Sequence, residues 1–82
     1  MQTKLINGEK NQYEITTPKK RIYKCYSTII VKQENGITYL DVNNWNLHRT
    51  ISKFRAIFLG ERTRDTEKKI NEGIYQLKNL NR

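Results

Sequence analysis

The sequence predicts a small α+β domain: an antiparallel sheet of three to five strands with one or two short helices packed on one face. Three observations predict it. Apolar residues alternate over Ile22–Gln33 and again over Ile37–Val42, with the turn signal Glu34-Asn35-Gly36 between. From Asn44 to Gly60 the period changes, and Leu47, Ile51, Phe54 and Phe58 recur at helical spacing. The chain has 82 residues, enough for one domain with a core worth only about 3–5 kcal/mol.

Thr3–Ile6 is a short strand, Asn7-Gly8 a turn in which both residues tolerate positive φ, and Gln12–Thr16 the returning strand. This hairpin is polar, so residues 1–18 could attach only loosely. Thr17-Pro18 ends it, because proline cannot donate to a central ladder. In the long strand Ile22–Gln33, the Tyr23, Cys25, Ser27, Ile29, Val31 set is the more apolar and is assigned to the core. Across the next turn Tyr39 should face an aromatic or β-branched residue. The helix should run from about Thr50 to Leu59 with its Leu47, Ile51, Phe54, Phe58 face inward and Arg49, Ser52, Lys53 and Arg55 outward. Gly60 suits the left-handed position after it. Thr63 can cap a second helix, Arg64–Glu72, supported by an Asp65–Lys69 pair and ended by Gly73. Residues 74–80 fit either a strand or a continued helix. The strand is preferred, because Gly73 inside a helix would cost roughly 1 kcal/mol.

Sixteen Lys and Arg against eight Asp and Glu give a net charge of +8. That balance favours a polyanionic partner such as nucleic acid, or an acidic or nucleoprotein host complex. Lys19, Lys20, Arg21 and Lys24 form one cationic group, readable as a solvated loop or as phosphate contacts. Arg49, Lys53, Arg55, Arg62 and Arg64 come from the two helices and their joint, and several could share one rim. Trp45 reads as a plug at the sheet–helix corner or as a stacking platform for a base, with the plug favoured. The polar Thr66 and Lys69 argue against a helix-turn-helix, because a recognition helix needs apolar anchors.

Catalytic chemistry has little to stand on. His48 is the one histidine and Cys25 the one cysteine, so neither a zinc set nor an internal disulfide can form within the chain. No phosphate-cradling glycine loop or other cofactor motif is present. Asp41 and Glu61 could meet at the sheet–helix joint and hold Mg²⁺, as a small metal-dependent nuclease would require. No apolar run is long enough to cross a membrane, and the N-terminus turns polar too soon for a signal peptide. A cytoplasmic protein without catalytic residues, metal or cofactor is therefore expected. Its small core suggests self-association, a homodimer being the simplest form.

The pattern Tyr26-x-Thr28-x-Ile30, Gly36-x-x-Tyr39-Leu40, Trp45-Asn46-x-x-x-Thr50-x-x-Lys53-Phe54 and Phe58-Leu59-Gly60-Glu61 resembles a group of small uncharacterised proteins. Phages and plasmids of low-G+C Gram-positive bacteria carry them. The resemblance covers about residues 23–80, and the chain departs from the group's pattern at Leu47-His48 and at Phe54. It implies a mobile-element accessory role and no particular activity. Two functions follow as expectations. One is non-enzymatic binding of DNA or RNA through a cationic surface. The other is inhibition of a host or defence complex, for example as an anti-CRISPR protein acting by docking.

Overall fold

A computed structural model describes residues 1–81. Six strands form a single sheet in the order β1 to β6: β1 Gln2–Leu5, β2 Gln12–Thr16, β3 Lys20–Cys25, β4 Thr28–Glu34, β5 Ile37–Asp41 and β6 Tyr75–Lys78. Two helices, α1 Arg49–Leu59 and α2 Thr63–Asn71, lie between β5 and β6. The expectation of three to five antiparallel strands is thus corrected on two counts. The sheet has six strands, and β6 runs parallel to β5. The parallel pairing has a topological cause. A short link reverses the chain, whereas the two-helix connection over residues 42–74 brings it back to the end from which β5 started.

The extra strand comes mainly from Ile22–Gln33, which is not one strand but two. The chain reverses at Tyr26-Ser27, where Cys25 pairs with Thr28. Tyr26 takes a left-handed φ of 56° and its N–H donates to the Asn11 carbonyl at 2.8 Å. Past the turn, β4 carries a bulge. Tyr23 pairs with Val31 and Lys24 with Ile29, which leaves Ile30 unpaired. The additional residue lets Ile30 and Val31, adjacent in sequence, both bury completely, while Ile29, opposite Lys24, lies on the other face from its expected core position.

The core lies between α1 and one face of the sheet. Tyr23, Cys25, Ile30, Val31 and Leu40 from the sheet meet Ile51, Phe54 and Phe58 from α1. Leu47, expected on that inward stripe, precedes the helix and is 60% exposed. Ile6, in a single 3-10 turn between β1 and β2, is only 4% exposed and joins the core, which anchors the N-terminal hairpin to the rest of the sheet. Gly60 ends α1 at φ 70°, and its N–H donates to the Ala56 carbonyl at 2.8 Å.

The α2 region differs from expectation in its partners. Arg62, not Thr63, occupies the N-cap position, and the Asp65 carboxylate accepts the Arg62 N–H at 3.4 Å. Lys69 bonds to Glu61 at 2.7 Å in place of Asp65. Thr66 is fully buried although polar, because its hydroxyl donates to Glu61. Tyr39 faces Lys32, not an aromatic or β-branched residue. Beyond β6 the chain follows the β5 end: Leu80 N–H donates to Asp41 Oδ1 at 2.8 Å. Asn81 then pairs its side-chain amide with both backbone groups of Ile29, at 2.7 and 2.9 Å. An asparagine amide thereby continues the ladder where β5 has turned away.

Candidate nucleic-acid interface

A surface hollow of about 600 Å³ opens where the β1–β2 link, the β3–β4 turn and the start of α1 converge. Glu9, Lys10, Gln12, Tyr26, His48, Arg49, Thr50, Lys53 and Phe54 line it. Each arrives there for a local reason. Lys10 follows the positive-φ residues Asn7 and Gly8 and precedes Asn11, also at positive φ, so the link folds tightly back toward β3. Tyr26 is the tip of the hairpin that Asn11 holds, and the residue is 65% exposed. Arg49 and Lys53 are one helical turn apart at the start of α1 and share a side.

Positive charge prevails in this cleft, where Lys10, Arg49 and Lys53 outnumber the one lining carboxylate, Glu9. His48 occupies the N-cap of α1 in extended backbone without a side-chain capping bond, and no acidic residue lies in the helix's first turn. The positive end of the helix therefore adds to Arg49 and Lys53 instead of being offset. Among the described residues the ion pairs are Arg21–Glu14, Lys32–Glu34 and Lys69–Glu61. None of them engages Lys10, Lys24, Arg49 or Lys53. Lys24 stands beside the cleft: with Tyr13, Tyr26, Thr3, Ile15 and Ser27 it lines a shallower hollow of about 370 Å³ on the other side of the Tyr26 tip.

The expected cationic rim is not formed as drawn. Arg55 is completely buried, not solvent-facing. Its Nη1 donates to the Trp45 carbonyl at 2.7 Å and to Asn46 Oδ1 at 3.1 Å, and its Nη2 to Thr63 Oγ1 at 2.6 Å. Its guanidinium carbon lies 5.2 Å from the Trp45 ring. Trp45 itself is half-buried against the core and serves this clasp, in keeping with the plug reading. Burial pulls the Arg55 pKa down from its ordinary value, against the field of Glu61. Arg21 is likewise internal in role. It bonds Glu14 and Gln33, donates to the Phe58 carbonyl at 3.1 Å and lies 4.0 Å over the Phe58 ring.

The Arg21–Phe58 bond also orients α1 against β3. The C-terminal turn of the helix lies over the Lys20–Arg21 end of the strand, and Arg49 and Lys53 lie toward the Tyr26 end. The remaining cations accordingly divide by ends of the molecule. Lys24, Arg49 and Lys53 gather near Tyr26, with Lys10 added. Lys19 and Lys20, in the turn built on Thr17 Oγ1, fall at the opposite end of β3, roughly 17 Å away at strand rise. Arg62 and Arg64, both exposed, follow the far end of α1.

Lys10 and Tyr26 are the cleft residues that sequence reasoning missed, and His48 is exposed at the rim without a partner among the described residues that would orient it as a base. The suggested Asp41–Glu61 couple is not formed. Asp41 accepts from Leu80 N–H and Asn44 Nδ2, and Glu61 from Lys69, Thr66 and Tyr75. Burial acts to raise both carboxyls, but these bonds outweigh it and hold both below their ordinary values. Among the described residues no three His, Cys, Asp or Glu side chains come together as a metal site would need, and no helix is long and apolar enough to cross a membrane.

No protein-family model matches the chain, and no curated protein or solved structure matches it either.

Proposed function

We propose that the protein binds nucleic acid without catalysing its cleavage, through the cleft around Tyr26, in a phage or plasmid accessory role. The observation that carries this reading is the set Lys10, Lys24, Arg49 and Lys53. These four cations flank an exposed tyrosine, and none is engaged by a carboxylate among the described residues. Cations left unpaired beside a helix N-terminus attract phosphate by charge alone, and the aromatic tip offers a face on which a base can stack. No arrangement of side chains for reading base edges is needed, so the binding is independent of sequence. Lys19, Lys20, Arg62 and Arg64 at the far end contribute to the long-range field that steers encounter.

The test is a mobility shift with generic duplex and single-stranded nucleic acid at about 50 and 200 mM salt, wild type beside Arg49→Ala/Lys53→Ala. Binding at low salt that weakens steeply at high salt, and a clear loss in the double variant, supports the proposal. No shift at low salt refutes it. Recovery of a host protein by the same chain would then favour the docking inhibitor, and turnover abolished by chelation the nuclease.

A further inference from the structure

Both helices pack on the Tyr23 side of the sheet, and among the described residues no element covers the other side. The strand registers define what that open face carries. One row runs Leu5, Tyr13, Lys24, Ile29 across β1 to β4. The next runs Thr3, Ile15, Ile22, Lys32, Tyr39, Gln76 across all six strands. A solvated face of an antiparallel sheet ordinarily alternates to polar residues. Here isoleucines and tyrosines remain, interleaved with lysines.

We infer that the nucleic acid is single-stranded, and that its path continues from the cleft round the Tyr26 tip onto this open face. Tyr13 and Tyr39 there stack bases, and Lys24 and Lys78 meet phosphates. The inference rests on the nucleic-acid reading above and specifies its substrate. Three observations support it. The first is charge. Lys20, Lys24, Lys32 and Lys78 fall on this face, while of its two acids Glu34 is bonded to Lys32 and Asp41 is buried on Leu80 N–H and Asn44. A second copy of the chain would set lysines against lysines, so a polyanion is the complementary occupant. The second is the placement of ammonium groups beside an aromatic ring. Lys32 Nζ and Lys78 Nζ lie 5.4 and 5.1 Å from the Tyr39 ring centre. A base stacking on Tyr39 would displace an ammonium group by only a few ångströms, to its own phosphate.

The third observation is continuity. Tyr26 lines both the 600 Å³ cleft and the 370 Å³ hollow that holds Tyr13 and Lys24. One residue thus joins the α1 side of the sheet to the open side, and the track bends round a hairpin tip. A duplex stays straight over about 150 base pairs, far beyond a molecule of 31 × 28 × 25 Å, so it can touch one side or the other. A single strand can follow the bend. Tyr26 also occupies a backbone conformation that a bulky side chain rarely adopts, which places an aromatic at the corner where glycine or asparagine would suit the turn better.

Fluorescence anisotropy with labelled oligo-dT and oligo-U of about 20 nucleotides, and with a duplex of equal length, tests this. The single strands should bind at least about tenfold more tightly than the duplex at about 50 mM salt. Tyr13→Ala/Tyr39→Ala should lose about tenfold or more on single strands and leave duplex binding unchanged, with Tyr13→Phe/Tyr39→Phe retaining wild-type affinity. Should the alanine variant fail to fold, Lys24→Gln/Lys78→Gln carries the test, and it should weaken single-strand binding and shallow its salt dependence. Equal affinity for duplex and single strand overturns the inference. So does wild-type single-strand affinity in a folded tyrosine double variant or in the lysine variant. If Arg49→Ala/Lys53→Ala weakens binding while the open-face variants do not, the cleft reading stands and this inference falls. If no strand binds, both fall.

Discussion

Replacing Arg55 should destabilise the fold and not act as the loss of a surface cation. The side chain is fully buried and makes three hydrogen bonds through its two terminal nitrogens, while Nε has no partner among the described residues. Hydrogen bonds from a charged donor are worth about 1.5–3 kcal/mol each, giving a gross value of about 4.5–9 kcal/mol. The cost of burying a cation with no carboxylate at ion-pair distance among the described residues offsets several kcal/mol of this. A net loss of about 3 kcal/mol follows for Arg55→Met, which keeps volume but leaves the Trp45 carbonyl, Asn46 Oδ1 and Thr63 Oγ1 without the donor. For a domain of 82 residues each kcal/mol moves Tm by roughly 4–8 °C, so the melt should fall by roughly 12–24 °C. Urea denaturation followed by the fluorescence of Trp45, the one tryptophan, reads the same loss at the clasp itself. Arg55→Lys keeps the charge without the fork and should recover only part of the stability. The reasoning is refuted if Arg55→Met melts within about 0.5 kcal/mol of wild type, the range of an inert surface change.

Other consequences are independent of the clasp. Gly60→Ala meets no atom within 4 Å, so its cost is that of forcing an alanine to φ 70°, about 1 kcal/mol. Thermal melts should show it, and an unchanged Tm would contradict the cap. Tyr26→Asn should relieve backbone strain at φ 56° and stabilise the fold by about 0.5–1 kcal/mol while weakening single-strand binding; a lower Tm would show that the tyrosine instead packs productively. Glu61 and Asp41 are held below their ordinary values of 4.5 and 3.8, so the unfolded chain takes up protons first on acidification. Their stabilisation is complete above those values and is lost as pH falls through the lower folded ones. Glu61→Gln should therefore be less stable near neutrality and show a flatter stability profile below about pH 5, whereas parallel profiles would discount the Lys69–Thr66–Tyr75 cage.

Legibility in the sequence followed the range of the interactions involved. The α1 core stripe of Ile51, Phe54 and Phe58, the Asn35-Gly36 turn at φ 54° and 76°, and the Gly60 cap depend on neighbours within a few residues, and the pattern showed them. The Tyr26-Ser27 turn was hidden because tyrosine is not a turn former and a single serine without glycine, proline or asparagine beside it is a weak turn signal, so two period-two strands in succession read as one. The pairing of Cys25 with Thr28 across that turn put Ile29 opposite Lys24 and out of the core, and the bulge at Ile30 then restored the expected phase at Val31. Arg55 was misplaced for a different reason. On a helix it counts as polar, yet its partners come from Trp45, Asn46 and Thr63, whose approach only the folded chain determines. The same limit applied to the interface. Arg49 and Lys53 could be placed on one side of a helix, but their meeting with Lys10, Tyr26 and Lys24 depends on how the β1–β2 link and the β3–β4 hairpin fold together.

The salt dependence of single-strand binding addresses the central claim most directly. Each phosphate neutralised on a single strand contributes about −0.7 to the slope of log K against log salt, so Lys10, Lys24, Arg49 and Lys53 with Lys78 of the open face give a slope of about −3.5. Arg49→Ala/Lys53→Ala should bring it to about −2 with the fold intact. A slope near zero, or one that the double variant leaves unchanged, would mean that the cations around Tyr26 do not hold the ligand.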